Sequence, residues 1–206
     1  GVLVKDVSNV IVSALAITEK TFGVLYDNVS YDSEIAGSGG ATNIINAVDV
    51  YDNEYGVYVK DSDSVTIINS TATNNKKAGY YLEHSSNSKI TQNYGYQNDI
   101  GIGIDQYSSF NTIYSNIIEN STNSGISVSD SWNTSIQNNT VLFGLSDGIY
   151  LFNNTNATLL ENNASLNSGN GFVLDTTVGS DVIDNIILLN QKNGVVLDKS
   201  TDNNLM

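Results

Sequence analysis

Charged side chains recur at one place in a short repeated pattern. Fourth after each of nine glycines stand Lys5, Asp27, Lys60, Glu83, Asp105, Ser129, Phe152, Asp175 and Asp198. If the pattern stacks, Glu83 lies over Asp105, with His84 and Asp130 nearby, and Asp175 lies over Asp198. Paired carboxylates on neighbouring strands are what acid–base chemistry on a sugar uses. An oxygen-rich cluster such as Glu83, Asp105 and Asp130 is also what Ca2+ takes. The plainer reading is a solvated acidic edge, in which Lys60 between Asp27 and Glu83 makes a ladder of surface ion pairs, each worth little. No cofactor is expected, and Ca2+ at those three carboxylates is the one candidate ion.

Positioning these groups falls to the repeat. Gly followed by alternating apolar residues opens segments at Gly1, Gly23, Gly56, Gly79, Gly101, Gly125, Gly148, Gly171 and Gly194. The steps are 22, 33, 23, 22, 24, 23, 23 and 23 residues. The long step carries a Gly- and Ser-rich insertion, Tyr31 to Gly40, and without it the period is 23. A second series, Asn46, Asn69, Asn93, Asn116, Asn139, Asn162 and Asn185, keeps the same step, and a partial third runs through Asn74, Asn98, Asn167 and Asn190. Within each unit the apolar pattern has period two, which codes strands. The first strand is anchored by pairs such as Val57/Val59, the second by Val65/Ile67, Ile90, Ile113, Ile136, Leu159 and Ile183. The third is anchored by Val48/Val50, Thr71/Thr73, Ile118, Val141/Phe143, Ala164/Leu166 and Ile187/Leu189.

Three short strands in each unit leave no room for a crossover helix, so parallel strands stack only if the chain coils about one axis. The expected fold is all-β: one right-handed parallel β-helix over residues 1–206, of about 8.5 coils and roughly 40 Å in length at the usual strand spacing. The Asn series reads as a structural ladder at the bends, where Asn tolerates left-handed backbone and bonds its neighbours. Glycine reads as the residue whose freedom the other bend requires.

Composition narrows the partners. The 206 residues contain 30 Asn, 25 Ser, 16 Thr and 17 Gly, no Pro, Cys or Arg, and a formal charge of −14. Such a surface repels nucleic acid and anionic lipid. Without cysteine there are no disulfides and no thiolate chemistry. No apolar run is long enough to span a membrane, so no direct membrane insertion is expected.

The pattern G-[IV]-x-[LV] followed by S-x-N-x-I-x-x-N, as in GYYLEHSSNSKITQN and GISVSDSWNTSIQNN, resembles the repeats of NosD-like periplasmic proteins and of archaeal cell-surface proteins, including S-layer and sheath components. That resemblance implies an extracellular, cell-surface, non-catalytic building block. The copper role of NosD-like proteins does not carry over, with no Cys, one Met and one His. Pectate-lyase-like abstraction by Arg is excluded, and LEHSS around His84 matches neither the Asp-Pro-His of alginate epimerases nor the Gly-His-Gly of polygalacturonases. Outward apolar residues Ile117, Leu142, Val173, Ile186, Leu188 and Val196 suggest a contact stripe. With strands at both termini, they suggest self-association, lateral or end to end. The alternative is a carbohydrate-binding or carbohydrate-processing module. For it, Tyr58 and Tyr81 on adjacent coils would form a sugar platform, with Tyr94, Tyr96, Tyr107, Tyr114 and Trp132 near outward positions.

Overall fold

The computed structural model describes residues 1–29 and 43–206, so the predicted insertion at 31–40 lies outside the described residues. Among the described residues every element is a strand, and none is helical. The strands form three parallel sheets of nine, nine and seven members, the first two running the length of the coil and the third ending at Asn163–Ser165. The first sheet holds the Gly-led strands, such as Tyr55–Lys60, Ala78–Glu83 and Ile100–Asp105. The second holds strands such as Val65–Ile68, Lys89–Thr91 and Thr112–Tyr114, and the third strands such as Thr71–Thr73, Tyr94–Tyr96 and Ile117–Glu119.

Register is strict. Val57, Tyr80 and Ile102 are partners along the first sheet, and Ile67, Ile90 and Ile113 along the second. Identical inward positions therefore stack into apolar columns that fill the triangle between the sheets. In the second sheet the inward residue opposite Leu159 is Val182, not Ile183, which faces out. In the third sheet Ala72 points inward in place of Thr71 and Thr73. Phe143, Leu166 and Leu189 leave the core altogether, and each takes a left-handed backbone at an exposed corner. Tyr26 and Tyr80 span the core, and their hydroxyls donate to backbone carbonyls at the opposite corner: Val10 and Ile44 for Tyr26, Ser70 and Tyr94 for Tyr80.

Corners pose the main difficulty, because a bend removes backbone groups from the sheet while keeping them buried. Asn93, Asn116, Asn139, Asn162 and Asn185 resolve it in one column. The Oδ1 of Asn116 accepts from the backbone N–H of Asn93 at 3.0 Å and from its Nδ2 at 3.1 Å. The Nδ2 of Asn116 donates to the Ile90 carbonyl and to Oδ1 of Asn139, both at 2.9 Å. Every amide is thus nearly saturated by its neighbours above and below.

Asn46 and Asn69 do not belong to this column. Asn69 occupies the left-handed position just before it, with φ 50°, and Ser70 takes the ladder place, bonding Oδ1 of Asn93 through its backbone N–H at 2.9 Å. Asn46 ends a strand, and its only tie to Asn69 is an exposed side-chain contact of 3.4 Å. The next corner behaves alike: Asn53, Asn75 and Asn98 form the inner column, while Asn74 is the left-handed residue beside it. That column breaks at Ser121, whose buried hydroxyl lacks a partner, and at Gly144, and it resumes from Asn167 to Asn190. Hydroxyls of Ser62, Ser85 and Ser108 do the same work at the third corner.

The repeat glycines are not there for φ. Among the described glycines only Gly179 has positive φ, whereas 33 described non-glycine residues do. Gly56 and its equivalents are required by close approach instead. A Cβ on Gly56 would lie 2.5 Å from the Gly79 carbonyl, and one on Gly101 would lie 2.2 Å from Cγ2 of Ile118.

Two outcomes are expected. Asn139→Ala removes the acceptor for the N–H and Nδ2 of Asn116 and the donor to Ile113, and should lower stability by about 3 kcal/mol, since each buried orphan costs about 1–3 kcal/mol; a reduced urea midpoint at unchanged slope would show it. Burial pushes the Tyr26 phenol up from 10.0 to about 12 and that of Tyr80 well above 10.0. Folding therefore favours the neutral phenols, so that stabilisation is complete below pH 10 and is lost as pH rises through 12. Alkaline titration followed by absorbance should show these tyrosines ionising only as the circular dichroism of the sheets collapses.

Candidate functional site

The first sheet displays its outward residues in two columns per strand. One column runs through Leu25, Tyr58, Tyr81, Gly103 and Ser127, the other through Asp27, Lys60, Glu83 and Asp105. Where they cross the strands Tyr55–Lys60, Ala78–Glu83 and Ile100–Asp105, chemistry-bearing side chains crowd together.

Aromatic packing comes first. Phe22, Tyr55 and Tyr58 stack with ring centroids 4.9–5.7 Å apart, and Tyr81 leans on Tyr55 and Tyr58 at 5.4 and 5.7 Å. Tyr81 can lie across the next coil because Gly103 stands there; a Cβ would meet its ring at 2.4 Å. Tyr58 is only 8% exposed. The pair Tyr58 and Tyr81 is therefore not an open platform for a sugar ring. It is a packed wall that aims hydroxyls.

Those hydroxyls hold the carboxylates. Tyr58 donates to Oε2 of Glu83, and Tyr81 donates to Oδ2 of Asp105 at 3.1 Å. Burial, then the adjoining carboxylates, pushes both phenols far above 10.0, so they act as donors at any ordinary pH. Lys60 lies 3.8 Å from Oε1 of Glu83. His84 takes a left-handed backbone, which swings its Nδ1 to 3.5 Å from Asp61 and 3.9 Å from Glu83. Glu83 and Asp105 are direct partners in the parallel pairing. The result is a carboxylate pair flanked by a lysine, a histidine and two fixed phenols, half open to solvent.

Glu83, Asp105 and Asp130 do not converge as a metal site. Asp105 also accepts from the N–H of Gln106 at 2.7 Å, and Asp130 accepts from Nδ2 of Asn153 at 2.5 Å. Among the described residues no group of three His, Cys, Asp or Glu could hold an ion. Asp175 and Asp198 are partners in register, beside Tyr150.

The outward stripe is partial. Ile117, Ile186 and Leu188 are exposed, Leu142 and Val196 are half-buried, and Val173 is buried between Tyr150 and Val196. Of the outer aromatics, Tyr94, Tyr107, Tyr114 and Trp132 are exposed, while Tyr96 is half-buried and stacks on Tyr94 at 6.2 Å. Tyr94 donates to Glu119 at 2.9 Å.

Two features escape a reading of the sequence. An open notch of about 530 Å3 gathers Lys20, Lys76 and Lys77 with Glu19, Asp52 and Glu54, and the Lys77 ammonium sits 5.2 Å over the Tyr55 ring. The neighbouring pair Lys76 and Lys77 was its only signal. The other is Phe110, which contacts Trp132 edge-on; its signal was the uneven step, 22 then 24 residues, on either side of Gly101.

Comparison with known proteins matches the same architecture. No match was found among curated proteins. A double mutant of the periplasmic alginate epimerase AlgG shares the coil with TM-score 0.75 at 20% identity, over 91% of this chain and 47% of that one. The enzymatically active domain of tailspike protein 2 from bacteriophage CBA120 gives 0.69 at 15%, over 99% and 35%. DFA-IIIase from Arthrobacter chlorophenolicus A6, in complex with GF2, gives 0.68 at 12%, over 94% and 50%. The chain spans half or less of each of these proteins, and at such identities the likeness is one of fold. It nonetheless corrects the expectation that the chain is not an enzyme: the structures it resembles are an epimerase, an enzymatically active domain and DFA-IIIase, so this coil is one on which enzymes are built. The sequence model for a right handed beta helix region matches residues 1–141 and 99–206, which together cover every coil described above, and the chain belongs to that family.

Proposed function

We propose that this chain is a carbohydrate-processing module of an exported protein, acting on the outer face of the first sheet. The observation that carries the reading is the pair Glu83 and Asp105, partners on adjoining strands, each fixed by a tyrosine hydroxyl and flanked by Lys60 and His84. Adjacent coils lie about 4.8 Å apart, close to the ~5–5.5 Å between carboxyl groups in retaining glycoside hydrolases. Hydrolysis is thus the reaction the pair supports best. Glu83, with one oxygen held by Tyr58 and the other beside Lys60, is the nucleophile that bonds the anomeric carbon as the glycosidic bond breaks; Asp105 in its protonated form gives the leaving oxygen its proton and, then a carboxylate, takes one from the water that releases the sugar from Glu83.

A charge of −14 favours a neutral glycan over a polyuronate. Export is supported by the periplasmic epimerase and the phage tailspike that share the coil. The test is release of reducing ends from neutral polysaccharides of glucose, mannose, galactose and xylose, with alginate and polygalacturonate as anionic comparators. Glu83→Gln and Asp105→Asn should each lower turnover at least about 100-fold. Absence of product from every polysaccharide, or full turnover by Glu83→Gln, would contradict the reading.

A second reading, lateral assembly at a cell surface as in an S-layer or sheath, draws support from exposed Ile117 on the third sheet and exposed Ile186 and Leu188 just past its last strand. Sedimentation tests it: concentration-dependent association abolished by Ile117→Ser with Leu188→Ser is expected, and a monomer at every concentration would contradict it.

A further inference from the structure

The turn that follows Asp105 departs from its neighbours in three ways. It has six residues, 106–111, between strands ending at Asp105 and starting at Thr112, where the coils on either side have five, 84–88 and 130–134. The additional residue is Tyr107, with φ 63° and 66% exposure. Phe110, at φ 56° and 52% exposed, occupies a left-handed column that other coils fill with Asn87, Asn133, Asn156 and Gly179. Bulky aromatics are strained in that conformation, and half-exposed rings recover little of the cost by burial.

The turn is nevertheless tied to the next coil by hydrogen bonds. The Tyr107 N–H donates to the Asp130 carbonyl at 2.9 Å, that of Phe110 to the Trp132 carbonyl at 3.0 Å, and that of Trp132 to Oγ of Ser109 at 3.1 Å. Phe110 and Trp132 meet edge-on at 6.4 Å, and Trp132 is 41% exposed. Gln106 and Asn133, next in sequence to Tyr107 and Trp132, are exposed. Strain retained in a fixed, solvent-facing arrangement marks functional positions in general.

We infer that Tyr107, Phe110 and Trp132 form an outer subsite that takes a pyranose ring of the glycan processed at Glu83 and Asp105. This rests on the hydrolase reading above, because Asp105 ends the strand from which the turn departs, two residues before Tyr107. A sugar ring has one face of C–H groups and a rim of hydroxyls. Aromatic faces suit the first, and the Gln106 and Asn133 amides suit the second. A chain lying across the first sheet reaches the turn without leaving the surface.

Trp132 is the sole tryptophan, so its emission reports occupancy directly. The probes are disaccharides and hexasaccharides of glucose, mannose, galactose and xylose, titrated into the intact chain. The expected result is a saturable change in Trp132 emission with the hexasaccharide of one sugar and little with its disaccharide. Tyr107→Ala and Phe110→Asn should each cut the hexasaccharide's affinity advantage over the disaccharide roughly tenfold, a change of about 1.4 kcal/mol. Phe110→Asn installs the residue type of the other coils, so its melting temperature should rise while binding weakens, which separates binding from folding. If hexasaccharide is cleaved in a Glu83-dependent manner but Trp132 emission and both affinities are unchanged, the subsite is overturned and the hydrolase reading stands. If no oligosaccharide alters emission or is cleaved, both are overturned. A Trp132 response without cleavage supports the subsite and overturns the assigned reaction.

Discussion

A buried backbone N–H at a bend must find its acceptor one coil away, and that requirement governs the rest of the structure. Within a strand the sheet supplies partners automatically. At a corner it does not, and an Asn or Ser side chain from the next coil substitutes. Because each amide both accepts from one coil and donates back to it, a coil of different length would lose two or three bonds at once. The period follows from this demand, and the in-register stacking of Ile67, Ile90 and Ile113 follows from the period.

Strict stacking also makes chemistry possible. Partner residues on adjoining strands sit at a fixed separation, so a carboxylate pair needs only two acidic residues one coil apart. The flanking tyrosines do for Glu83 and Asp105 what the asparagines do for the corners: each hydroxyl reaches from one coil to the next. The scaffold and the site therefore use one kind of interaction, a side chain bonding one coil onward.

Much of this was legible in the sequence, since an integer period reveals the coil and the 22-residue step from Glu83 to Asp105 places them together. What escaped did so for physical reasons. Asn69 resembles a ladder residue by spacing, yet the 24 residues to Asn93 conceal that the ladder passes to Ser70, because serine and asparagine satisfy the same N–H. Ile183 and Val182 are equally apolar, so pattern alone cannot say which faces inward. Phe143, Leu166 and Leu189 read as core because hydrophobicity carries no information about left-handed corners. The burial of Tyr58 depends on Phe22, on the far side of the 33-residue step in the repeat. At Tyr107 and Phe110 the local rule fails outright, and there the surface is least like a plain scaffold.

In the function proposed above, a glycan lies where the chain departs from its repeat, between Lys60 and Trp132. It is tested by a crystal structure of the Glu83→Gln variant soaked with the hexasaccharide that changes Trp132 emission most. Continuous sugar density along the first sheet across Glu83 and Asp105, ending against Phe110 and Trp132, is the expected result. Sugar on the third sheet or in the notch of Lys20, Lys76 and Lys77, with the first sheet bare, would contradict it.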